Sequence, residues 1–251
     1  MIDYDPKFAD YKSYIMADYA QFMEGSGARV IPILDTESEE ETLKKLSLVN
    51  GVLFPGGAGD DQYKAKAEFI YKQAIELNDK GTYFPLLGIC QGFEYLNIFA
   101  SDAGDDILDT LESHHVSISL HFTVDPAKTK MFEGARKEAE LYTTAGSSYQ
   151  SHTYGVNPES YEKDEGLKKM FKLTSTCHDE EHDSTFACTM ESEKYPFMGT
   201  QFHPEKQIYQ WNDGVNLDHE WQSVQLNRLF ADTFVKEARQ QTNVAGDYSQ
   251  V

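Results

Sequence analysis

Basic residues, cysteines and long apolar runs are all scarce in this 251-residue chain. It carries 22 Lys and Arg against 42 Asp and Glu, a formal net charge of −20. Because DNA, RNA and anionic lipid surfaces attract basic surfaces, the composition argues against nucleic-acid binding and against membrane-surface binding. No apolar run approaches the roughly 20 residues that cross a bilayer, so we expect no membrane insertion.

The three cysteines, Cys90, Cys177 and Cys188, are too few for a disulfide scaffold in a chain of this size. Residues 1–5 are polar and acidic, and they lack the basic and apolar regions of a signal peptide. These observations fit a cytosolic protein, and they fit equally well a chain whose leader has been removed.

Hydrophobic patterning predicts an α/β domain. Helices are predicted at residues 8–24, from a capped start at 36–40, and at 61–80, 91–100 and 221–240, with strands at 28–34, 51–54, 84–89, 116–124, 171–176, 185–190 and 196–202. Strands that alternate with helices through residue 100 indicate a parallel sheet with helices on both faces. No linker divides the chain, so we expect one domain over residues 1–240 and a flexible tail over 241–251.

The sharpest local motif is Gly-Ile-Cys-Gln-Gly at residues 88–92. A predicted strand precedes it and a predicted helix follows it, as in a nucleophile elbow. The small residues two positions away on each side permit the tight crossing. The thiol of Cys90 would lie at a helix N-terminus, where the helix dipole favours the thiolate.

A cysteine nucleophile needs a base, and His203 in Phe-His-Pro-Glu is the best candidate among eight histidines. It ends a predicted strand, and residues i and i+2 of an extended chain face the same way. Glu205 can therefore reach the His203 ring, fix its tautomer and leave the other ring nitrogen for Cys90.

Pro-Gly-Gly at residues 55–57 follows a predicted buried strand. Gly56 and Gly57 can present backbone N–H groups to an oxyanion, and the N–H of Gln91 would be the second donor. Alone, a Gly-Gly pair more often marks a plain loop.

His178-Asp-Glu-Glu-His182 matches a zinc-peptidase pattern that works only on a helix. Its flanks are predicted strands, so we interpret it as a solvated hairpin turn. We expect neither a metal nor a cofactor. His114 and His115 are predicted to lie in an acidic loop.

The cysteine elbow, the Gly-Gly pair and His-x-Glu, in this order, resemble the class I glutamine amidotransferase superfamily. Within it, the chain most resembles the γ-glutamyl hydrolase (folylpoly-γ-glutamate hydrolase) family over nearly its whole length. The matching stretches are residues 14–19 (YIMADY), 24–33 (EGSGARVIPI), 51–57 (GVLFPGG), 88–94 (GICQGFE), 195–206 (YPFMGTQFHPEK), 209–211 (YQW) and 234–239 (FVKEAR).

This resemblance implies a three-layer α/β fold with a mostly parallel central sheet. It implies a cysteine hydrolase, an omega peptidase that cleaves γ-linked glutamyl chains from folates and antifolates through a thioester. The resemblance assigns substrate contacts to Tyr14, on the first helix, and to His152. It further suggests a lysosomal, vacuolar or secreted location and a homodimer.

The chain departs from the family at two places. The family's buried first strand has no counterpart in the polar residues 1–12, so we expect the first strand to be missing. Gln91 stands where leucine is common, although its backbone N–H is retained. Two alternatives to the hydrolase are a glutaminase of the same superfamily and an inactive family member that serves as a structural or interaction protein.

Overall fold

The computed structural model describes residues 13–135, 139–144, 146–212 and 214–243. The helices are α1 Ala17–Gly25, α2 Glu39–Leu46, α3 Asp61–Asp79, α4 Gln91–Ala100, α5 Ala139–Thr144, α6 Ser160–Lys163, α7 Glu165–Met170, α8 Lys206–Tyr209 and α9 Trp221–Ala238. The strands are β1 Val52–Phe54, β2 Leu86–Ile89, β3 Leu108–Ile118, β4 His121–Phe122, β5 Ser148–Val156, β6 Lys172–Asp179, β7 Ser184–Glu191 and β8 Phe197–Thr200.

The central sheet has six strands in the order β1-β2-β8-β7-β6-β4. Its first three strands are parallel, with Phe54 opposite Gly88 and Gly88 opposite Gly199. Parallel neighbours end at the same edge, so the segments that follow β1, β2 and β8 emerge side by side. These are the segments that carry Pro-Gly-Gly, Cys90 and His203.

The other half of the sheet is antiparallel, which corrects the expectation of a mostly parallel sheet. β8 pairs with β7, β7 with β6 and β6 with β4, all in antiparallel register. Short connections, such as the four residues between β6 and β7, can join only antiparallel neighbours. The α/β class stands, but the sheet is mixed.

Two hydrophobic clusters cover the two faces of the sheet. One packs α1 and α9 through Phe22, Phe230 and Phe234, and the other packs α3 and α4 through Ile70 and Leu96. Helices therefore lie on both faces, as predicted. In the described part of the chain, no helix is long and apolar enough to cross a membrane.

Two predicted elements differ near the start of the chain. The strand predicted at 28–34 does not form, and Val30 and Leu34 are each 41% exposed. A strand needs a ladder partner, and among the described residues β1 pairs only with β2. The helix predicted from residue 8 begins at Ala17, because Met16 is extended with ψ 135°. The predicted absence of a first strand concerns residues 1–12, which lie outside the described residues.

A second sheet, β3 paired with β5, was only partly predicted. The strand predicted at 116–124 is divided between the end of β3 and the short β4. His114 and His115 are not in a loop but in β3, where the register shifts and His115 takes φ 58°.

The helix start predicted at residues 36–40 is the start of α2, where Ser38 and Glu41 form a capping box. In the segment from residue 241 onward, Gln241 O and Asn243 O both accept hydrogen bonds from the Asn50 side chain.

Cys177 and Cys188, on the neighbouring strands β6 and β7, form a disulfide with Cα atoms 5.5 Å apart. The sequence analysis did not anticipate this pair. Both residues are fully buried, and Cys90 is the remaining free cysteine.

We predict one free thiol per chain when protein purified without reductant is titrated in denaturant, and three after reduction, because two of the three cysteines are bonded to each other. Replacing Cys177 and Cys188 together by Ser should lower the free energy of unfolding by about 3 kcal/mol, as expected for a loop of this length. Three thiols without reduction would contradict the pairing.

Candidate active site

Cys90 stands at the sharp turn between β2 and α4. Its backbone has φ 52° and ψ −111°, a left-handed conformation that L-residues rarely adopt. Its N–H donates to Thr200 O of the neighbouring strand β8 at 2.8 Å, which holds the turn in place. A strained backbone at the end of a strand is the geometry of the predicted nucleophile elbow.

The two glycines that flank Cys90 are required by close approach. A Cβ on Gly88 would collide with the backbone of Gly92, and a Cβ on Gly92 would overlap the carbonyl of Phe54. The helix can therefore start directly against β1 and β2 only if both positions lack a side chain.

His203 and Glu205 form a buried pair after β8. His203 Nδ1 lies 2.7 Å from Glu205 Oε1, and the two side chains are 5% and 0% exposed. Because a carboxylate only accepts hydrogen bonds, Nδ1 carries the proton and Nε2 is left for another partner. The contact was predicted from extended geometry, but a turn brings it about, since Glu205 has helical backbone angles.

Cys90, His203 and Tyr19 meet around Gly56. A Cβ on Gly56 would lie 2.6 Å from the Tyr19 hydroxyl, 2.9 Å from Cys90 Cβ and 2.9 Å from His203 Cε1. The thiol-bearing residue and the candidate base are therefore neighbours across a glycine that has no room for a side chain.

The two predicted oxyanion glycines differ in the structure. The Gly56 N–H donates to the Tyr19 hydroxyl at 2.9 Å, so it is not available to an oxyanion, and this part of the prediction is corrected. The Gly57 N–H has no hydrogen-bond partner among the described residues, and Gly57 takes φ 151°, which favours glycine. The Gln91 N–H lies against the Cys90 sulfur.

Burial raises the pKa of the Cys90 thiol, and the nearby carboxylates of Glu94 and Glu205 raise it further. The Gln91 N–H and the Lys206 ammonium lower this pKa by less. The surroundings of Cys90 therefore do not favour the expected thiolate at the helix N-terminus, because desolvation and the two carboxylates outweigh the helix dipole. They favour the neutral thiol.

Of the two predicted substrate contacts, Tyr14 is exposed and His152 is buried. Tyr14 precedes α1 rather than lying on it, and it is 62% exposed. His152 is buried in β5 with its ring edge-on to Phe186, and burial lowers its pKa to about 3. Neither His152 ring nitrogen has a hydrogen-bond partner within the described ranges. Their substrate contacts stay predictions.

His178 and His182 do not share a helix face. His178 lies near the end of β6 and His182 lies in the turn between β6 and β7, as the sequence predicted. His182 Nδ1 lies 3.2 Å from Asp179 Oδ2. No group of three or more potential metal-ligating side chains is found in the described residues.

Sequence reasoning missed three side chains of the site. Tyr19 contacts both Gly56 and His203, Tyr63 donates to Pro55 O, and Glu94 accepts from Gln201 Nε2 at 3.0 Å. Glu94 lies one helical turn after Cys90, a spacing that could have indicated a site residue. The contacts of Tyr19 depend on the tertiary fold, and no local sequence pattern predicts them.

The sequence model of the family "Glutamine amidotransferase class-I" matches residues 10–215 of this chain. The glutaminase domain of Trypanosoma brucei CTPS with bound acivicin superposes with a TM-score of 0.60, over 97% of this chain and 93% of that one, at 15% sequence identity. The fold and the elbow define the class: a glutamine amidotransferase-type α/β domain.

Relatives with curated names show which family of this class the chain belongs to. Gamma-glutamyl hydrolase 1 of Arabidopsis thaliana is 36% identical over 92% of this chain and 66% of its own length. The gamma-glutamyl hydrolase of Homo sapiens is 35% identical over 90% of this chain and 71% of its own length. The chain thus spans about two thirds of the length of these relatives. It belongs to the γ-glutamyl hydrolase family.

We predict that Glu94→Gln changes how stability depends on pH. Burial raises the pKa of Glu94 from 4.5 to about 7, so between these values the folded protein holds a proton that the unfolded chain has lost. Stability therefore falls as the pH rises through this window, by up to about 3 kcal/mol. Glutamine stays neutral and retains an acceptor for Gln201.

Urea unfolding at pH 5 and pH 8 tests this expectation. The variant should match the wild type at pH 5 and exceed it at pH 8, because other titrating groups are common to both proteins. An equal difference at both pH values would show that Glu94 does not titrate there.

Proposed function

We propose that this chain is a cysteine hydrolase that cleaves γ-glutamyl bonds of poly-γ-glutamylated folates. The observation that carries the proposal is the convergence of Cys90, at positive φ, and the buried His203–Glu205 pair around Gly56. The relatives named above share the γ-glutamyl hydrolase name, which supplies the substrate class.

The first half of the reaction transfers the γ-glutamyl acyl group to Cys90. The thiol is neutral at rest, so its proton passes to His203 Nε2 as the sulfur attacks the γ-amide carbonyl carbon. Glu205 holds Nδ1 and stabilises the imidazolium. The carbonyl oxygen becomes an oxyanion that the N–H groups of Gly57 and Gln91 can receive. The C–N bond breaks when His203 returns the proton to the leaving amine.

The second half releases the acyl group. Water attacks the thioester carbon and gives its proton to His203, and the C–S bond then breaks as the proton returns to the sulfur. Because the pKa of Cys90 is raised, the sulfur leaves as a thiol that takes its proton from His203. The cycle restores the neutral thiol without any outside reductant or oxidant.

The substrate tail is polyanionic and the chain carries −20, so long-range attraction cannot bring them together. Capture must depend on cations near the cleft. Lys206 is such a cation, since it follows the His203–Glu205 pair, lies 6.0 Å from the Tyr149 ring and lowers the pKa of Cys90.

The two alternatives gain no support from a particular observation. Likeness to a glutaminase domain at 15% identity shows the fold alone, whereas the γ-glutamyl hydrolases reach 36%. The inactive-member alternative is opposed by the intact His203–Glu205 contact beside Cys90.

We predict that Cys90→Ala abolishes turnover of a γ-linked glutamate oligomer and leaves substrate binding nearly intact, because it removes only the nucleophile. Cys177→Ser and Cys188→Ser are the matched controls, since their sulfurs are bonded to each other in the core. Both should retain turnover when folded. Turnover in Cys90→Ala would refute the proposed mechanism.

We predict that His203→Ala lowers kcat on the order of a thousand-fold or more, while Glu205→Ala costs less, because a base matters more than the group that orients it. Steady-state kinetics on the same oligomer measures both. His152→Ala is the comparison variant, because His152 is a second buried histidine close enough to interact with His203, and burial lowers its pKa to about 3. If His152→Ala were as damaging as His203→Ala, the assignment of the base would be wrong.

A further inference from the structure

The loop of residues 55–59 follows β1 and faces Cys90. Its first peptide group is held at both ends by tyrosines from two different helices. The Tyr63 hydroxyl, from α3, donates to Pro55 O at 2.8 Å, and the Gly56 N–H donates to the hydroxyl of Tyr19, from α1, at 2.9 Å. Pro55 O and the Gly56 N–H belong to one peptide plane, so this plane cannot rotate without breaking both hydrogen bonds.

The next peptide group of the loop carries the remaining donor. The Gly56 N–H is taken up by Tyr19, whereas the N–H of Gly57 has no hydrogen-bond partner among the described residues. Gly56 packs directly on Cys90, where a Cβ would lie 2.9 Å from Cys90 Cβ. The free donor therefore belongs to the residue that directly follows this contact with the nucleophile.

The other end of the loop is held by the side chain of Gln91. Its Oε1 accepts from the Gly59 N–H at 2.8 Å, and its Nε2 donates to Gly59 O at 3.0 Å. Nε2 also lies 3.0 Å from the Tyr95 hydroxyl, and the Tyr95 ring packs edge-on against Tyr63 at 5.1 Å. Leucine at position 91 could make none of these hydrogen bonds.

We propose that Tyr19, Tyr63 and the Gln91 side chain are positioning residues that preorganise the oxyanion hole formed by the N–H groups of Gly57 and Gln91. Gln91 ties the two donors together, since its backbone supplies one and its side chain anchors the loop that supplies the other. Tyr19 also lies 3.3 Å from His203 Nδ1, which links the loop to the base. This inference rests on the proposed function.

The test compares Tyr63→Phe, Tyr19→Phe and Gln91→Leu with the wild type. Each variant removes hydrogen bonds and nearly preserves volume. Removing an oxyanion donor costs about 100- to 1000-fold, so misplacing one should lower kcat about 10- to 100-fold. KM should stay within about threefold, because the ground-state carbonyl gains little from the hole.

A second measurement separates this role from a general structural one. An N-acylated glutamate γ-aldehyde adds the Cys90 thiol to form a thiohemiacetal, whose oxygen occupies the oxyanion position. Its inhibition constant should rise in proportion to the loss of kcat in all three variants. Tyr71→Phe is the matched control, because Tyr71 is buried on α3 and its hydroxyl has no partner in the described ranges. It should match the wild type in both measurements.

Two results would overturn the inference. One is kcat within about twofold of wild type in folded Tyr63→Phe and Gln91→Leu. The other is a loss of kcat with unchanged aldehyde binding. If Gln91→Leu does not fold, Tyr63→Phe decides, since it removes a single oxygen atom. Cys90→Ala distinguishes the two proposals: turnover there refutes the proposed function, whereas an inactive Cys90→Ala beside fully active loop variants refutes only the positioning role.

Discussion

The arrangement of the site depends on the left-handed backbone of Cys90 at the end of β2. The hydrogen bond from its N–H to Thr200 O attaches the turn to β8, and Gly88 and Gly92 let α4 start against the sheet. Because β1, β2 and β8 are parallel, the same sheet edge receives the glycine loop, the thiol and His203. Ligand sites of open α/β sheets form at the carboxyl ends of the strands for this reason.

The charges around Cys90 suit a thiol that reacts together with its base. Asp18, Glu94 and Glu205 are all at least nine-tenths buried, and burial is the largest cause that raises the pKa of both Asp18 and Glu94. Such surroundings disfavour a further negative charge, so a thiolate forms only as the proton reaches His203. The site thereby differs from one in which a preformed thiolate waits for substrate.

The elbow, the His203–Glu205 pair and most helices were predictable because each is encoded in a continuous stretch of sequence. The strand predicted at 28–34 failed because a strand also needs a neighbour, and no local pattern reports one. Residues 114 and 115 were misassigned for the opposite reason, since β5 pairs with that polar segment. Tyr19 joins His203 across 184 residues, a contact that only the complete fold produces. The assignment of Gly56 as a donor failed because the direction of a peptide plane depends on such contacts.

Gln91 shows how a single departure from a family pattern acquires a physical meaning. The sequence analysis assigned its backbone N–H to the oxyanion hole and gave its side chain no role. In the fold, the two ends of its amide match the N–H and the C=O of Gly59, which glycine exposes without a side chain in the way. A hydrogen-bonded loop loses fewer conformations at the transition state than a loop held by apolar contact, because its donors are already oriented. The polar residue next to the nucleophile thus serves the geometry of the loop.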